Sequence, residues 1–132
     1  MSKKKILLVD DEPDFLDIMG ERISSWGYEV IKASNGKEAL GIINRSRPDS
    51  VVLDYMMPEM DGITTLEKIR EIDSELPVIM FTAHPDTKSL ASINKFKVSA
   101  FIPKLSTYGD IQSSLKTALS MIEKKISKET EA

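Results

Sequence analysis

The sequence of 132 residues contains no cysteine, a single histidine and no long apolar stretch. Without cysteine the chain forms neither a disulfide framework nor a thiolate metal site, which fits a reducing compartment. The basic segment 3–5 precedes only four apolar residues before Asp10, whereas a signal peptide has an apolar stretch of about 7–15 residues. No segment approaches the roughly 20 apolar residues of a membrane span. We therefore expect a soluble protein of the cytoplasm.

An excess of charge of one sign is also missing. Charged residues make up 30% of the chain, both signs are mixed, and the net charge is −3. This balance provides no electrostatic footprint for nucleic acid or for an anionic membrane, so we expect neither as a direct partner. The length suits one domain, which we place at residues 1–126, followed by a polar C-terminal tail at 127–132. The single histidine, His84, has no helical phosphodonor context, so the chain is not expected to be a kinase.

Short apolar runs alternate with longer amphipathic segments along the whole chain. The runs at 6–9, 51–53 and 78–81 lack period-two alternation, which is typical of parallel strands buried on both faces. Weaker runs at 29–32 and 100–102 suit sheet edges. Five helical patterns lie between or after the strands, the fourth at about 86–96. The order predicts an α/β fold with a doubly wound, five-stranded parallel sheet and five helices.

Polar residues stand at the predicted carboxyl ends of four strands. They are Asp10 and Asp11, Asp54, Thr82, and Lys104. Ligands of such sheets bind at this edge, and clustered carboxylates repel one another unless a cation joins them. Oxygen ligands without histidine or cysteine favour Mg²⁺ or Mn²⁺. Ammonium and hydroxyl groups can hold phosphoryl oxygens, so the set suits phosphoryl transfer, with Asp54 as the best candidate nucleophile.

Two motifs and several isolated residues carry a resemblance to a known family. The segment 6–12 reads Ile-Leu-Leu-Val-Asp-Asp-Glu, and 54–62 reads Asp-Tyr-Met-Met-Pro-Glu-Met-Asp-Gly. Together with Thr82-Ala83 and Phe101 with Lys104, they resemble the response regulator receiver domains of two-component signalling, in the superfamily of the chemotaxis regulators. The resemblance extends from about residue 4 to 125. It implies the flavodoxin-like strand order 2-1-3-4-5, with the first and third strands at the switch point.

The resemblance also implies an acceptor and a metal site. Asp54 would accept the phosphoryl group and act as a metal ligand. Asp10 and Asp11 would bind Mg²⁺ directly or through water, and the backbone carbonyl of Met56 would complete the protein ligands.

Further residues are implied to bind the phosphoryl group and to report its presence. Lys104 would pair with the group, Thr82 would turn toward it beside Ala83, and Phe101 would move inward. The family's usual output face, formed by the fourth helix, fifth strand and fifth helix, would change with them.

The family also implies partners and a self-limiting lifetime. A sensor histidine kinase or a histidine phosphotransfer protein would donate the group, and a downstream protein would bind the phosphorylated face of a monomer or a phosphorylation-dependent dimer. The chain would be no conventional enzyme, because it catalyses only its own phosphorylation and dephosphorylation. Met56 and His84, two positions beyond the acceptor and the threonine, are expected to tune the lifetime of the phosphorylated form.

Three other interpretations stay open. The first is a receiver within a longer regulator or hybrid kinase. The second is a binding module that works without phosphorylation. The third is a hydrolase with an aspartyl-phosphate intermediate. The last is disfavoured because such enzymes usually carry a second aspartate where Met56 stands.

Two departures from the family pattern bear on the switch. Leu105 follows Lys104 where the family usually has proline in a cis bond, so we expect a trans bond there and a changed loop. Lys97 and Val98 replace the Gly-Ala pair that usually ends the fourth helix, so either Asn94 supplies a left-handed turn or the helix ends differently.

Overall fold

A single parallel sheet of five strands organises the computed structural model, in the order β2-β1-β3-β4-β5. The structure describes residues 4–55, 60–82, 91, 95–104 and 108–131, apart from the side chains of residues 108 and 126–131. The strands are β1 Lys5–Val9, β2 Glu29–Ala33, β3 Ser50–Asp54, β4 Val78–Thr82 and β5 Ala100–Pro103. The predicted order is confirmed. All residues of β3 and β4 are buried, as their unbroken apolar runs predict.

Helices cover both faces of this sheet. They are α1 Pro13–Ser25, α2 Gly36–Ser46, α3 Gly62–Ile72 and a C-terminal helix, Tyr108–Glu131. Side-chain oxygens of Asn35 and Asp61 accept the backbone N–H groups of Glu38 and Thr64, both at 2.8 Å, and so begin α2 and α3. Gly27, just beyond α1, has a φ of 99°, which glycine adopts without strain.

Alternate residues of each central strand face one of two apolar cores. Leu7 and Val9 pack with α2 and α3 on one side of the sheet, whereas Ile6 and Leu8 pack with α1 and the C-terminal helix on the other. Burial on both faces is what fixes a sheet of this kind between two helical layers.

Strand register brings the predicted site residues to one edge. Val9 pairs with Leu53, Asp54 with Phe81, and Thr82 with Pro103. The carboxyl ends of β1, β3, β4 and β5 are therefore level with one another. Pro103 lies in the edge strand, where the missing N–H is tolerated.

The structure answers only part of the prediction for the fourth helix. Ala91 and Lys95 are helical, and most of the predicted segment, including Asn94, lies outside the described residues. The described part therefore contains four complete helices, not five. Lys97 itself takes the left-handed conformation, with a φ of 57°. It occupies the position where the family usually has the glycine that ends the fourth helix.

The side chain of Arg70 in α3 stabilises the left-handed turn at Lys97. Its guanidinium donates to the carbonyl oxygens of Phe96 at 2.7 Å and Lys97 at 3.2 Å, and to that of Leu76 at 2.7 Å. Burial lowers the pKa of Arg70, an effect that nearby carboxylates only partly offset. The side chain thus holds the end of α3 and the entry to β5 together.

Within the described ranges, no helix combines the length and the apolar character that a membrane crossing requires. The C-terminal helix runs into the segment predicted as a polar tail, and the division at residue 126 stays a prediction.

Candidate functional site

Two aspartates at the ends of neighbouring strands form the floor of the site. Asp10 follows β1 and is 0% exposed, while Asp54 ends β3 and is 3% exposed. The backbone N–H of Asp10 donates to the carbonyl oxygen of Ala33 at 3.1 Å, and its Oδ1 accepts the N–H of Glu12 at 2.9 Å. These contacts fix the Asp10 carboxylate at the edge of the sheet, so its charge is held away from water.

A group of acidic side chains at this edge can hold a metal ion. Asp10, Asp11 and Glu12 each offer a carboxylate oxygen, and these oxygens lie within 4.8 Å of one another. The donor set contains only hard oxygens, and one of its members is fully buried, so its residues fit Mg²⁺ or Mn²⁺. Glu12 was not assigned a role from the sequence, although its place directly after the two aspartates was the available signal.

Lys104 is the cation that the carboxylates of Asp10, Glu12 and Asp54 surround. Its Nζ lies 2.7 Å from Asp10 Oδ2, 3.0 Å from Glu12 Oε1 and 3.3 Å from Asp54 Oδ2. Its backbone N–H donates to the carbonyl oxygen of Thr82 at 2.6 Å. The side chain is only 12% exposed. The ammonium therefore reaches the acidic site, although leucine and not proline follows it in the sequence.

The pKa values of the buried pair move in the same direction for different reasons. Burial raises the pKa of Asp10 above 3.8, and the hydrogen bond from Lys104 opposes that rise without cancelling it. Burial alone would lower the pKa of Lys104, but the hydrogen bond and charge of Asp10, with the charge of Asp54, raise it overall. Lys104 is therefore protonated at neutral pH, while burial makes the ionised form of Asp10 less favourable than it is in water.

Thr82 ends β4, the strand beside that of Asp54, and Phe101 lies on β5, one strand further along the sheet. The Thr82 hydroxyl is buried and has no hydrogen-bond partner among the residues that the structure describes. Phe101 pairs in register with Met80 of β4 and is half-buried against the core that contains α2 and α3. A buried hydroxyl without a partner is costly, and a ligand oxygen at this edge would satisfy it.

Gly62 lets α3 begin against the backbone at the end of β3. Its N–H donates to the carbonyl oxygen of Tyr55 at 2.8 Å. A Cβ at this position would lie 2.6 Å from both the carbonyl oxygen of Asp54 and the Cα of Tyr55. Any larger residue would therefore displace the backbone that carries Asp54.

The structure thus brings together Asp10, Asp11, Asp54, Thr82 and Lys104, as the sequence predicted. Met56, Ala83 and His84 lie outside the described residues. The roles of these three in metal binding, switching and lifetime stay predictions.

Comparison with known proteins gives one consistent family. The family model described as "Response regulator receiver domain" matches residues 6–116. A probable transcriptional regulator, ycf27, of Porphyridium aerugineum is 36% identical over 94% of this chain, which spans 51% of that protein. The transcriptional regulatory protein GlrR of Escherichia coli is 37% identical over 75% of this chain and 22% of its own length. The chain therefore spans about half or less of these relatives.

Solved structures agree on the fold. A CheY-like receiver domain from Methanospirillum hungatei has a TM-score of 0.83 and 28% identity, with 94% of this chain and 99% of that chain covered. A chain of the CheX–CheY–BeF₃–Mg²⁺ complex from Borrelia burgdorferi has a TM-score of 0.81 and 27% identity, with 90% and 88% covered.

Proposed function

Because this chain belongs to the family of response regulator receiver domains of two-component systems, we propose that it is a signalling switch phosphorylated on Asp54. Receiver domains are switches and not conventional enzymes. The observation that carries the proposal is the position of Lys104, whose ammonium lies within 3.3 Å of both Asp54 and the buried Asp10. A carboxylate nucleophile beside a fixed cation is what phosphoryl transfer to a protein requires.

In the proposed reaction, a carboxylate oxygen of Asp54 attacks the phosphorus of a phosphohistidine. The new P–O bond forms as the P–N bond breaks, and the imidazole leaves with the electron pair and takes up a proton. Lys104 neutralises charge on the transferred group throughout, without a change in its own protonation. Water later attacks the phosphorus and releases inorganic phosphate, so the switch resets itself.

Asp10, Asp11 and Asp54 would hold the divalent cation, with Glu12 at the exposed rim and the Met56 carbonyl as a further ligand. Bound there, Mg²⁺ supplies positive charge for the phosphoryl oxygens. The solved complex from Borrelia burgdorferi, which contains Mg²⁺ and BeF₃, supports this proposal by analogy.

The signal would pass through β4 and β5, which lie on the side of β3 away from β1. The Thr82 hydroxyl, buried without a described partner, would turn to a phosphoryl oxygen, and Phe101 would move further into the core. Both changes would alter the surface formed by β5 and the C-terminal helix, where a downstream protein would bind. Met56 and His84 would set the lifetime of the phosphorylated state.

The proposed donor is a sensor histidine kinase or a histidine phosphotransfer protein, and the proposed location is the cytoplasm. A second candidate function has its own support. The similar proteins are named transcriptional regulators, and this chain spans only 51% and 22% of two of them. It would then be the receiver part of a longer regulator, in which a separate segment contacts DNA.

Binding of beryllofluoride, a mimic of the phosphoryl group, tests the proposed site. Addition of beryllium, fluoride and Mg²⁺ should shift the amide NMR resonances around Asp54, Thr82 and Phe101 in the wild type. Asp54→Asn should abolish these shifts, while Asp17→Asn on the exposed face of α1 should preserve them. Equal resonance shifts on addition of beryllofluoride in the wild type and in Asp54→Asn would overturn the proposal.

A further inference from the structure

The ring of Phe15 faces the ammonium of Lys104. Phe15 lies in the first turn of α1 and is 5% exposed. Lys104 Nζ lies over its ring, 4.4 Å from the ring centroid. Neither the sequence motifs nor the acidic cluster assigns this residue a function.

A second aromatic residue fixes the orientation of that ring. The centroids of Phe15 and Phe81 are 5.5 Å apart, and their planes meet at 84°. This edge-to-face arrangement is a favoured one for aromatic pairs. Because Phe81 belongs to β4 and pairs in register with Asp54, the orientation of the Phe15 ring is tied to the sheet that carries the acceptor.

The Lys104 ammonium is in contact with the Phe15 ring and with carboxylates both at the rim and in the interior of the site. Glu12, at 65% exposure, offers a partner at the solvent rim, while Asp54, at 3%, lies inside. Lysine has a flexible stem that can reach either side. The negative face of an aromatic ring attracts an ammonium, and does so more strongly where water is excluded, as around this 12% exposed side chain.

We propose that Phe15 is a positioning residue that holds the Lys104 ammonium over the site beside Asp54. An aliphatic side chain would fill the same space without attracting the cation, and Lys104 would move toward Glu12 at the rim. The inference rests on the proposed role of Asp54 as phosphoacceptor. Loss of a desolvated cation–π contact is expected to slow phosphorylation by about tenfold.

The test compares Phe15→Leu, which removes the aromatic ring, with Phe15→Tyr, which keeps it. Met19→Leu, in the same core and the same helix, is the matched control for a core substitution. Phosphorylation by acetyl phosphate with Mg²⁺ is followed by intact mass, and urea unfolding shows that each variant is folded. Phe15→Met replaces Phe15→Leu if the latter does not fold.

We expect Phe15→Leu to phosphorylate about tenfold more slowly, while Phe15→Tyr and Met19→Leu stay close to the wild type. A readout independent of activity is the NMR shift of the Lys104 ε-protons, which the ring should move upfield in the wild type, in Phe15→Tyr and in Met19→Leu but not in Phe15→Leu. Equal rates in wild type and Phe15→Leu, or equal losses in Phe15→Leu and Phe15→Tyr, would overturn the inference. A wild-type protein that takes up no phosphoryl group and also fails to bind beryllofluoride would overturn the proposed function and this inference together.

Discussion

Lys104 Nζ lies 2.7 Å from Asp10 Oδ2 and so joins two strand ends that are 94 residues apart in the sequence. The contact places the one described cation of the site between two nearly inaccessible carboxylates, those of Asp10 and Asp54. Both the stability of the fold and its proposed chemistry depend on this arrangement.

Replacement of Lys104 by methionine should destabilise the protein. The variant keeps the length of the side chain but leaves the buried carboxylates without their cation, and removal of one partner of a buried pair costs about 3 kcal/mol. Mg²⁺ should restore part of the loss, since it can join the same carboxylates. Urea unfolding with EDTA and with MgCl₂ measures both effects. Lys32→Met, which breaks the exposed ion pair with Asp17, should change stability by less than about 1 kcal/mol, and an equal loss in both variants would contradict this account.

Asp10→Asn should stabilise the protein at pH 7 in EDTA. Because the pKa of Asp10 is raised above 3.8 in the folded protein, the folded state binds protons more tightly than the unfolded chain, and ionised Asp10 lowers stability. The advantage of the variant over the wild type should therefore be full above the folded-state pKa and disappear as the pH falls toward 3.8.

Urea unfolding at several pH values checks this difference, with Asp17→Asn at an exposed position as the control substitution. An advantage of Asp10→Asn that grows as the pH falls would have the wrong sign. Mg²⁺ should also stabilise the wild type more than Asp10→Asn, because the variant lacks one ligand.

Gly62→Ala should destabilise the fold by about 2 kcal/mol. The added Cβ would meet the backbone of Asp54 and Tyr55 at 2.6 Å, so α3 or β3 must move. Gly41→Ala in α2 is the matched control, since nothing lies within 4 Å of its Cβ. The control should gain up to about 1 kcal/mol from the better helix propensity of alanine. Equal unfolding midpoints for the two variants would show that the close approach at Gly62 is unimportant.

Lys97→Gly should stabilise the protein by about 1 kcal/mol, because a left-handed conformation is strained for a residue with a Cβ. The hydrogen bond from Arg70 goes to the backbone carbonyl of residue 97 and survives the change. Lys95→Gly, at a helical position, should instead lose about 1 kcal/mol. Thermal or urea unfolding of both variants checks the opposite signs, and a loss in Lys97→Gly would contradict the strain.

The sequence pattern was sufficient to predict five parallel strands, because buried parallel strands produce apolar runs that end in polar residues at one edge, whereas the strand order followed from the resemblance to the receiver family. The same rule predicted that Asp10, Asp54, Thr82 and Lys104 would meet. The N-cap at Asn35 and the left-handed turn at Gly27 are local features that depend on neighbouring residues only.

Contacts between distant side chains were beyond that reasoning. The sequence could not show that Lys104 lies over the ring of Phe15, because that contact depends on the packing of α1 against β4 and β5. Nor could it show that Lys97 adopts the left-handed conformation, since this turn is stabilised by a hydrogen bond from Arg70, 27 residues earlier, to the carbonyl oxygen of Lys97.

Intact mass after incubation with acetyl phosphate tests the central claim most directly. The wild type should gain the mass of one phosphoryl group when Mg²⁺ is present, and neither the wild type in EDTA nor Asp54→Asn should gain it. A wild-type protein that gains no mass and also fails to bind beryllofluoride, or an Asp54→Asn variant that gains the same mass, would contradict the account.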